Sequence, residues 1–153
     1  MKLNLFVYGT LLDSDVVQAL TGKSFPITSA TLPHHQRFRI HQPGRQARGP
    51  AIIRRPHAFV EGHVLHEVDP ETMRLFDRFE LAASGYERVT AIAHRPDDGQ
   101  FVVETYRATE ALAEYLWGDW SLEEFQRLFK ADYLTERIPR LKQRWRQSGE
   151  ISM

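Results

Sequence analysis

Two segments of this chain combine residue types and spacing suited to chemistry. Residues 5 to 11 read Leu-Phe-Val-Tyr-Gly-Thr-Leu. Gly9 tolerates backbone angles closed to other residues, so a strand is expected to turn sharply there. The residues after it lead toward a helix N-terminus, where N–H groups lack partners. Turned into a concave loop, such groups bind a carboxylate or a phosphate. The glycine spacing fits neither the Walker pattern nor the dinucleotide pattern, which argues against a nucleotide site. On Tyr8-Gly9-Thr10-Leu11 alone, a plain strand-to-helix turn is the simpler reading.

The second segment centres on Glu80. Asp69-Pro70 signals a helix start, an N-cap followed by proline at the first helical position, and the helix is expected to run to about Glu80. Met73, Phe76 and Glu80 then fall at i, i+3 and i+7, on one apolar stripe. Glu80 also occupies the last turn, where the helix dipole repels an anion. Burial and dipole together should raise its pKa into the range a general acid or base needs near neutral pH. The competing reading is a surface glutamate on a frayed helix end. Asp77 is the less suspect carboxylate, because Arg74 and Arg78 are near and it can point to water. Tyr86 shares a strand face with Arg88, Thr90 and Ile92, and begins only a few residues past Glu80. Its hydroxyl and that of Tyr106 are candidate wall groups, with core packing the simpler reading for each alone. An anion cradle beside one awkward carboxylate points to acid–base chemistry on a small zwitterion.

The elements that must position these groups are legible in outline. Residues 3–8 read as a buried strand. Asp13 or Ser14 is placed to cap a short helix over Val16, Val17, Ala19 and Leu20 that stops at Gly22. Residues 28–41 suggest one or two strands. Residues 42–50, with two prolines and two glycines, read as a mobile loop. Residues 59–68 alternate, with Val60, Gly62, Val64, His66 and Val68 on one face. Residues 86–95 and 101–107 look like a hairpin around Pro96-Asp97-Asp98-Gly99. Ser121 and Glu124 form a capping-box pattern. Ile138, Leu141 and Trp145 share the face of a last helix. Strands first and helices last favour an α+β fold over βαβ alternation.

Composition narrows the function classes. The 153 residues carry 20 Lys+Arg against 20 Asp+Glu, so charge gives no global pull toward nucleic acid or an anionic membrane. With no cysteine, disulfides, thiolate nucleophiles and Cys-ligated metals are excluded. No apolar stretch approaches membrane-spanning length, and the first residues are too short an apolar run for a signal peptide. A soluble, cytoplasmic protein is expected.

These motifs, in this order, resemble the gamma-glutamylcyclotransferase-like family in its short bacterial and plant form, the avirulence-induced-protein-like branch. The matching residues are Phe6-Val7-Tyr8-Gly9-Thr10-Leu11, Gly62-His63-Val64-Leu65, Leu75-Phe76-Asp77-Arg78-Phe79-Glu80, Tyr86-Glu87-Arg88 and Tyr106. The resemblance implies a small mixed β-barrel of about five to six strands flanked by helices. It implies one domain over residues 1–153, with a helical C-terminal extension over about 110–147. It also implies a cavity for a gamma-glutamyl group, with Tyr8, Gly9, Thr10, Leu11, Gly62, Tyr86 and Tyr106 binding substrate and Glu80 as general acid/base. The expected reaction releases 5-oxoproline from a gamma-glutamyl amide, without metal or cofactor. Many members place glycine directly after this glutamate, whereas here residues 81–84 intervene before Gly85. The tail from Ser121 onward lies outside the match, and Trp117, Trp120 and Trp145 are expected to complete the core or an oligomer contact. The resemblance leaves the oligomeric state and the leaving group open.

Three other readings compete. Seven histidines raise a metalloenzyme, but His63 and His66 lie three apart on an expected strand and face opposite sides, and His34-His35 has the same problem. Arg137, Arg140, Lys142, Arg144 and Arg146 form a basic tail, yet the acid-rich residues 110–136 are available to pair with it, so no nucleic-acid partner is expected. A binding or regulatory module without turnover on the same fold is the third.

Overall fold

Alternation in the first strand builds two cores at once. Strand β1 (Leu3–Val7) sends Leu5 and Val7 to one side and Phe6 to the other, and Tyr8 continues the second row. The computed structural model describes residues 1–41, 43, 49–81, 85–149 and 151. After β1 come a single 3-10 turn (Thr10–Leu12), α1 (Ser14–Thr21), β2 (Ile27–Ile40), β3 (Pro50–Val68) and α2 (Pro70–Leu81). The hairpin β4 (Tyr86–His94) and β5 (Gln100–Ala108) follows, then α3 (Glu110–Ala113) and the short β6 (Leu116–Trp117). The chain closes with α4 (Leu122–Leu128), α5 (Lys130–Asp132) and α6 (Ile138–Gln147), the last two joined by a π turn over Tyr133–Arg137.

The strands run in the order β3-β1-β5-β4-β2, and β2 pairs back onto β3, which closes a five-stranded barrel; β6 adds to β2. The β1–β5 pair is parallel and the other pairs are antiparallel, so the barrel is mixed. Closure bends the long strands. The β2–β3 register slips between Pro33 and His35, where His34 takes a positive φ, and β3 turns again at Glu67. Phe6, Leu32, Ile52, Val64 and Val103 from the strands, with Tyr8 just past β1, form one cluster, the barrel interior. Leu5, Val7, Leu20, Phe76, Phe125 and Trp145 belong to a second cluster, between the outer barrel face and the helices. The α+β barrel flanked by helices is therefore the architecture observed.

Local signals mostly act where the sequence puts them. Asp13 caps α1, its carboxylate accepting from the N–H groups of Asp15 (2.9 Å) and Val16 (3.4 Å), and Gly22 ends the helix at φ 74°. Ahead of α2, Asp69 accepts from the Thr72 hydroxyl at 2.5 Å and from the Met73 N–H at 2.9 Å. The Ser121 hydroxyl accepts from the Glu124 N–H at 3.1 Å. Glu124 itself pairs with Arg39 at 2.9 Å. Residues 28–41 fold as one strand. The expected loop over 42–50 ends a residue early, because Pro50 already opens β3 and is buried; Gln42 and residues 44–48 lie outside the described residues, as do residues 82–84.

The tail is part of the helical core. Phe125, Tyr133, Ile138 and Trp145 are buried in the same cluster as Leu5 and Phe76. Trp120 joins them, but Trp117 does not: it is 63 % exposed, on a two-residue strand, and stacks on His41 at 3.6 Å. Some basic residues of the tail are engaged. Arg140 pairs with Glu136 at 2.9 Å, and Lys142 donates to the Ala19 carbonyl at 3.1 Å. Nearby Lys130 pairs with Asp13 and Asp15. No helix among the described residues is long and apolar enough to cross a membrane. If the tail contributes core packing, Trp145→Ala should lower unfolding free energy by about 3–5 kcal/mol. Urea denaturation measures this, and a loss below about 1 kcal/mol would mean the last helix packs loosely.

Candidate active site

Helix α2 positions Glu80 by burying the other face of the same stripe. Thr72, Met73 and Phe76 are buried, and this seats the helix on the outer barrel face, against α1 and β4. Glu80, one turn beyond Phe76, is partly exposed. It makes no hydrogen bond and no ion pair among the described residues. Burial pushes its carboxyl up from an ordinary 4.5 to about 7, and the Arg137 guanidinium pulls the other way.

Asp77, one turn earlier, has the opposite surroundings. It does not point to water beside Arg74 and Arg78, as its helix neighbours suggest. Its carboxylate accepts from the Tyr106 hydroxyl at 2.8 Å and pairs with Arg88 at 3.3 Å. Arg88 also reaches Glu104 at 3.4 Å, and Glu104 accepts from the Thr90 hydroxyl at 2.6 Å. The register explains the meeting, because Arg88 lies directly opposite Tyr106 and Thr90 opposite Glu104.

Tyr8 stands at the end of β1, where the two cores meet. Its hydroxyl donates to the Tyr106 carbonyl at 2.6 Å. Burial drives its pKa well up, and the neighbouring Tyr86 and Glu80 add to the rise. The Tyr106 hydroxyl is likewise pushed up, by burial first and then by Asp77, with Glu80 contributing. Tyr8, Tyr86, Tyr106 and Glu80 therefore sit within one electrostatic neighbourhood, although they come from β1, β4, β5 and α2.

The loop after Tyr8 is held from several sides. Gly9 has φ −129° and ψ −131°, outside both the helical and the extended regions. A close approach adds a second requirement: a Cβ there would lie 2.6 Å from Cδ and 2.9 Å from Cγ of Pro50. The Tyr86 hydroxyl in turn donates to the Pro50 carbonyl at 2.8 Å. Arg37 on β2 donates from Nη1 to the Tyr8 carbonyl at 2.9 Å and from Nη2 to the Trp120 carbonyl at 3.2 Å. Its Nε pairs with Asp119 at 2.9 Å. The 3-10 turn closes through Leu12 N–H to the Gly9 carbonyl (2.9 Å) and Asp13 N–H to the Thr10 carbonyl (3.2 Å). The N–H groups of Gly9, Thr10 and Leu11 have no acceptor among the described residues. Leu11 buries its side chain in the helical core, so only its backbone is available to a ligand. Thr10 is buried as well.

Gly62 has a packing explanation. A Cβ there would meet the Val7 carbonyl oxygen at 2.2 Å and the Phe6 ring at 2.8 Å, so glycine lets β1 lie close on β3 just before the loop begins. His63 and His66 take separate surroundings: His66 Nε2 lies 2.7 Å from the Thr28 hydroxyl, and burial lowers the pKa of His63. Arg37, Asp119 and Pro50 went unseen as site-building residues. The Arg37–Asp119 pair spans 82 positions of sequence, and no local pattern marks it.

The comparisons with known proteins fit this architecture. Residues 5–122 match the model of the family described as gamma-glutamyl cyclotransferase, AIG2-like. AIG2-like protein A of Arabidopsis thaliana is 35% identical over 132 residues, covering 86% of this chain and 76% of its own. AIG2-like protein D of the same plant is 32% identical over 131 residues, covering 86% and 84%. A solution structure of an Arabidopsis thaliana protein matches with a TM-score of 0.66 at 34% identity, covering 88% of this chain and 87% of that one. A structure described as gamma-glutamyl cyclotransferase has the same fold, with a TM-score of 0.63 at 16% identity over 71% of this chain and 68% of its own. The chain belongs to the AIG2-like gamma-glutamyl cyclotransferase family.

The raised pKa of Glu80 makes stability depend on pH with a defined sign. Between an unfolded value near 4.5 and a folded value of about 7, the folded state binds the extra proton, so ionising Glu80 weakens the fold as pH rises through this window. Glu80→Gln carries no charge at any pH. Its stability advantage over the parent should grow from pH 5 to pH 8 and level off above, reaching at most about 3 kcal/mol. Paired denaturation curves at the two pH values measure it. An advantage that does not change with pH would place Glu80 in water.

Proposed function

We propose that this protein cleaves a gamma-glutamyl amide by intramolecular cyclisation, releasing 5-oxoproline and a free amine. The observation that carries the reading is the Glu80 carboxyl, raised to about 7 and without a hydrogen-bond or ion-pair partner among the described residues, in the same neighbourhood as a loop whose N–H groups have no acceptor among those residues. Membership of the cyclotransferase family supports it.

The substrate has an alpha-ammonium, an alpha-carboxylate and an amide at its gamma-carbonyl. In this reading the N–H groups of Gly9, Thr10 and Leu11 hold the carboxylate, as free donors at a helix entry do. The Tyr8 hydroxyl oxygen, whose proton goes to the Tyr106 carbonyl, keeps lone pairs that can accept from the ammonium. Tyr86 and Tyr106 wall the site, and their hydroxyls are spent on Pro50 and Asp77. Gly62 contributes by setting the height of β1 rather than by touching substrate.

Glu80 takes a proton from the ammonium, and the freed amine attacks the gamma-carbonyl of its own molecule. A carbon–nitrogen bond forms and closes a five-membered ring. Glu80 delivers its proton to the departing nitrogen, the original amide bond breaks, and the protons lost by the alpha-nitrogen end on the leaving amine. The nucleophile is tethered to its target, and well-oriented reactions of this kind reach effective molarities of about 10⁵ M or more. The protein's tasks are folding the substrate and moving protons. A base with a pKa of about 7 accepts a proton readily and returns it readily.

Purified protein incubated with a panel of gamma-glutamyl amides should form 5-oxoproline, read by mass spectrometry. Glu80→Gln should lose at least about 10²-fold in turnover while staying folded. For the parent, kcat/KM should rise with pH through about 7 as the carboxyl ionises. Wild-type turnover by Glu80→Gln would remove Glu80 from the mechanism, and no lactam from any panel member would contradict the reaction itself.

A further inference from the structure

Most cations around the candidate site are already neutralised. Arg88 lies between Asp77 and Glu104, and Arg37 is held by Asp119 and two carbonyls. Arg137 differs. It is carried on the π turn between α5 and α6, in the tail beyond the family match at residues 5–122. Its neighbour Glu136 is taken by Arg140 at 2.9 Å. Arg137 has no carboxylate partner among the described residues, and its side chain is exposed.

Its position is nevertheless fixed. The guanidinium lies over the Tyr133 ring, 5.3 Å from the centroid. Tyr133 is buried, and its ring meets Phe79 edge-on with centroids 6.4 Å apart. Phe79 is the residue before Glu80. A π turn widens the helix by one residue and is often found where a side chain must be re-aimed. Here it sets Tyr133 against Phe79 at the end of α2, and the positive charge of Arg137 acts on Glu80.

We propose that Arg137 binds the carboxylate of the departing amine, so that the preferred substrates are gamma-glutamyl amino acids or peptides rather than gamma-glutamyl polyamines. This rests on the cyclisation reading above. Glu80 must reach the departing nitrogen to protonate it. In an alpha-amino-acid leaving group the carboxylate carbon is two bonds from that nitrogen, so the anion falls just beyond Glu80, on the side open to solvent. A free guanidinium there stabilises it by a charge-assisted pair. A polyamine leaving group would bring a second cation to the same place and be repelled. The tail thus supplies a specificity element to a site otherwise built from residues 8–106.

Gamma-glutamyl-alanine and its neutral isostere gamma-glutamyl-alaninamide test this. Lactam formation from each gives a ratio of kcat/KM values, in which any general effect on Glu80 or on folding cancels. The wild-type ratio should favour the acid by at least about tenfold. Arg137→Gln should bring it near unity, and Arg137→Lys should restore part of it. A wild-type ratio near one would overturn the inference and leave the cyclisation reading standing. A large ratio unchanged in Arg137→Gln would also overturn it, by assigning the preference elsewhere. Absence of lactam from both compounds, and from the wider panel, would remove the cyclisation reading and this inference with it.

Discussion

A carboxyl group taken away from water loses hydration that must be replaced by donors or avoided by taking up a proton. Glu80 has no donor among the described residues, so the proton is the remaining answer, and it is held to about neutral pH. The rest of the site depends on this. The buried Met73 and Phe76 seat α2 so that its last turn cannot swing outward. Tyr133 closes over Phe79 from the tail, and Arg137 offsets part of the burial. A partner close enough to hold the charge in place would lower the pKa toward the ordinary carboxylate range.

The contrast with Asp77 shows how one helix presents two carboxylates with different uses. They lie three residues apart, close enough to share a face. Asp77 receives a guanidinium and a phenol, and through them ties α2 to β4 and β5. Glu80 receives neither. The network therefore absorbs the nearby Arg88 and the Tyr106 hydroxyl before they can reach Glu80. In the same way Arg37 is spent on the Tyr8 carbonyl and Asp119, which fixes the loop, while the N–H groups of Gly9, Thr10 and Leu11 have no acceptor among the described residues. Stability is concentrated around the site and withheld at the points where a ligand's own groups would complete it.

Much of this was legible from local sequence. The stripe of Met73, Phe76 and Glu80, the Asp69-Pro70 start and the Asp13 and Ser121 caps depend on spacing of a few residues, and they appear where spacing puts them. Residues 3–8 were legible as a buried strand, though not that its two faces would belong to two separate cores. Long-range pairings were not legible. Arg37 with Asp119, Arg88 with Asp77 and Tyr86 with Pro50 are set by barrel closure, and an isolated charge on a strand carries no mark of its partner. Gly9 shows the same limit. Its unusual backbone angles follow from the residue type, but its crowding by Pro50 could not be read, because that proline is remote in sequence. Trp120 and Trp145 are buried while Trp117 faces solvent at the sheet edge, and no local pattern separates the three. Arg137 was visible only as one of several tail cations, and its place beside α2 follows from a π turn that periodicity does not announce.

The account turns on the protonation of one side chain. Glu80 can be followed directly by carbon-detected NMR of protein labelled at glutamate carboxyls, assigned against Glu80→Gln and titrated from pH 4 to pH 9. The structure predicts a midpoint near 7. A midpoint near 4.5, the ordinary glutamate value, would mean that the carboxyl is solvated and that the site has no proton carrier where one is claimed.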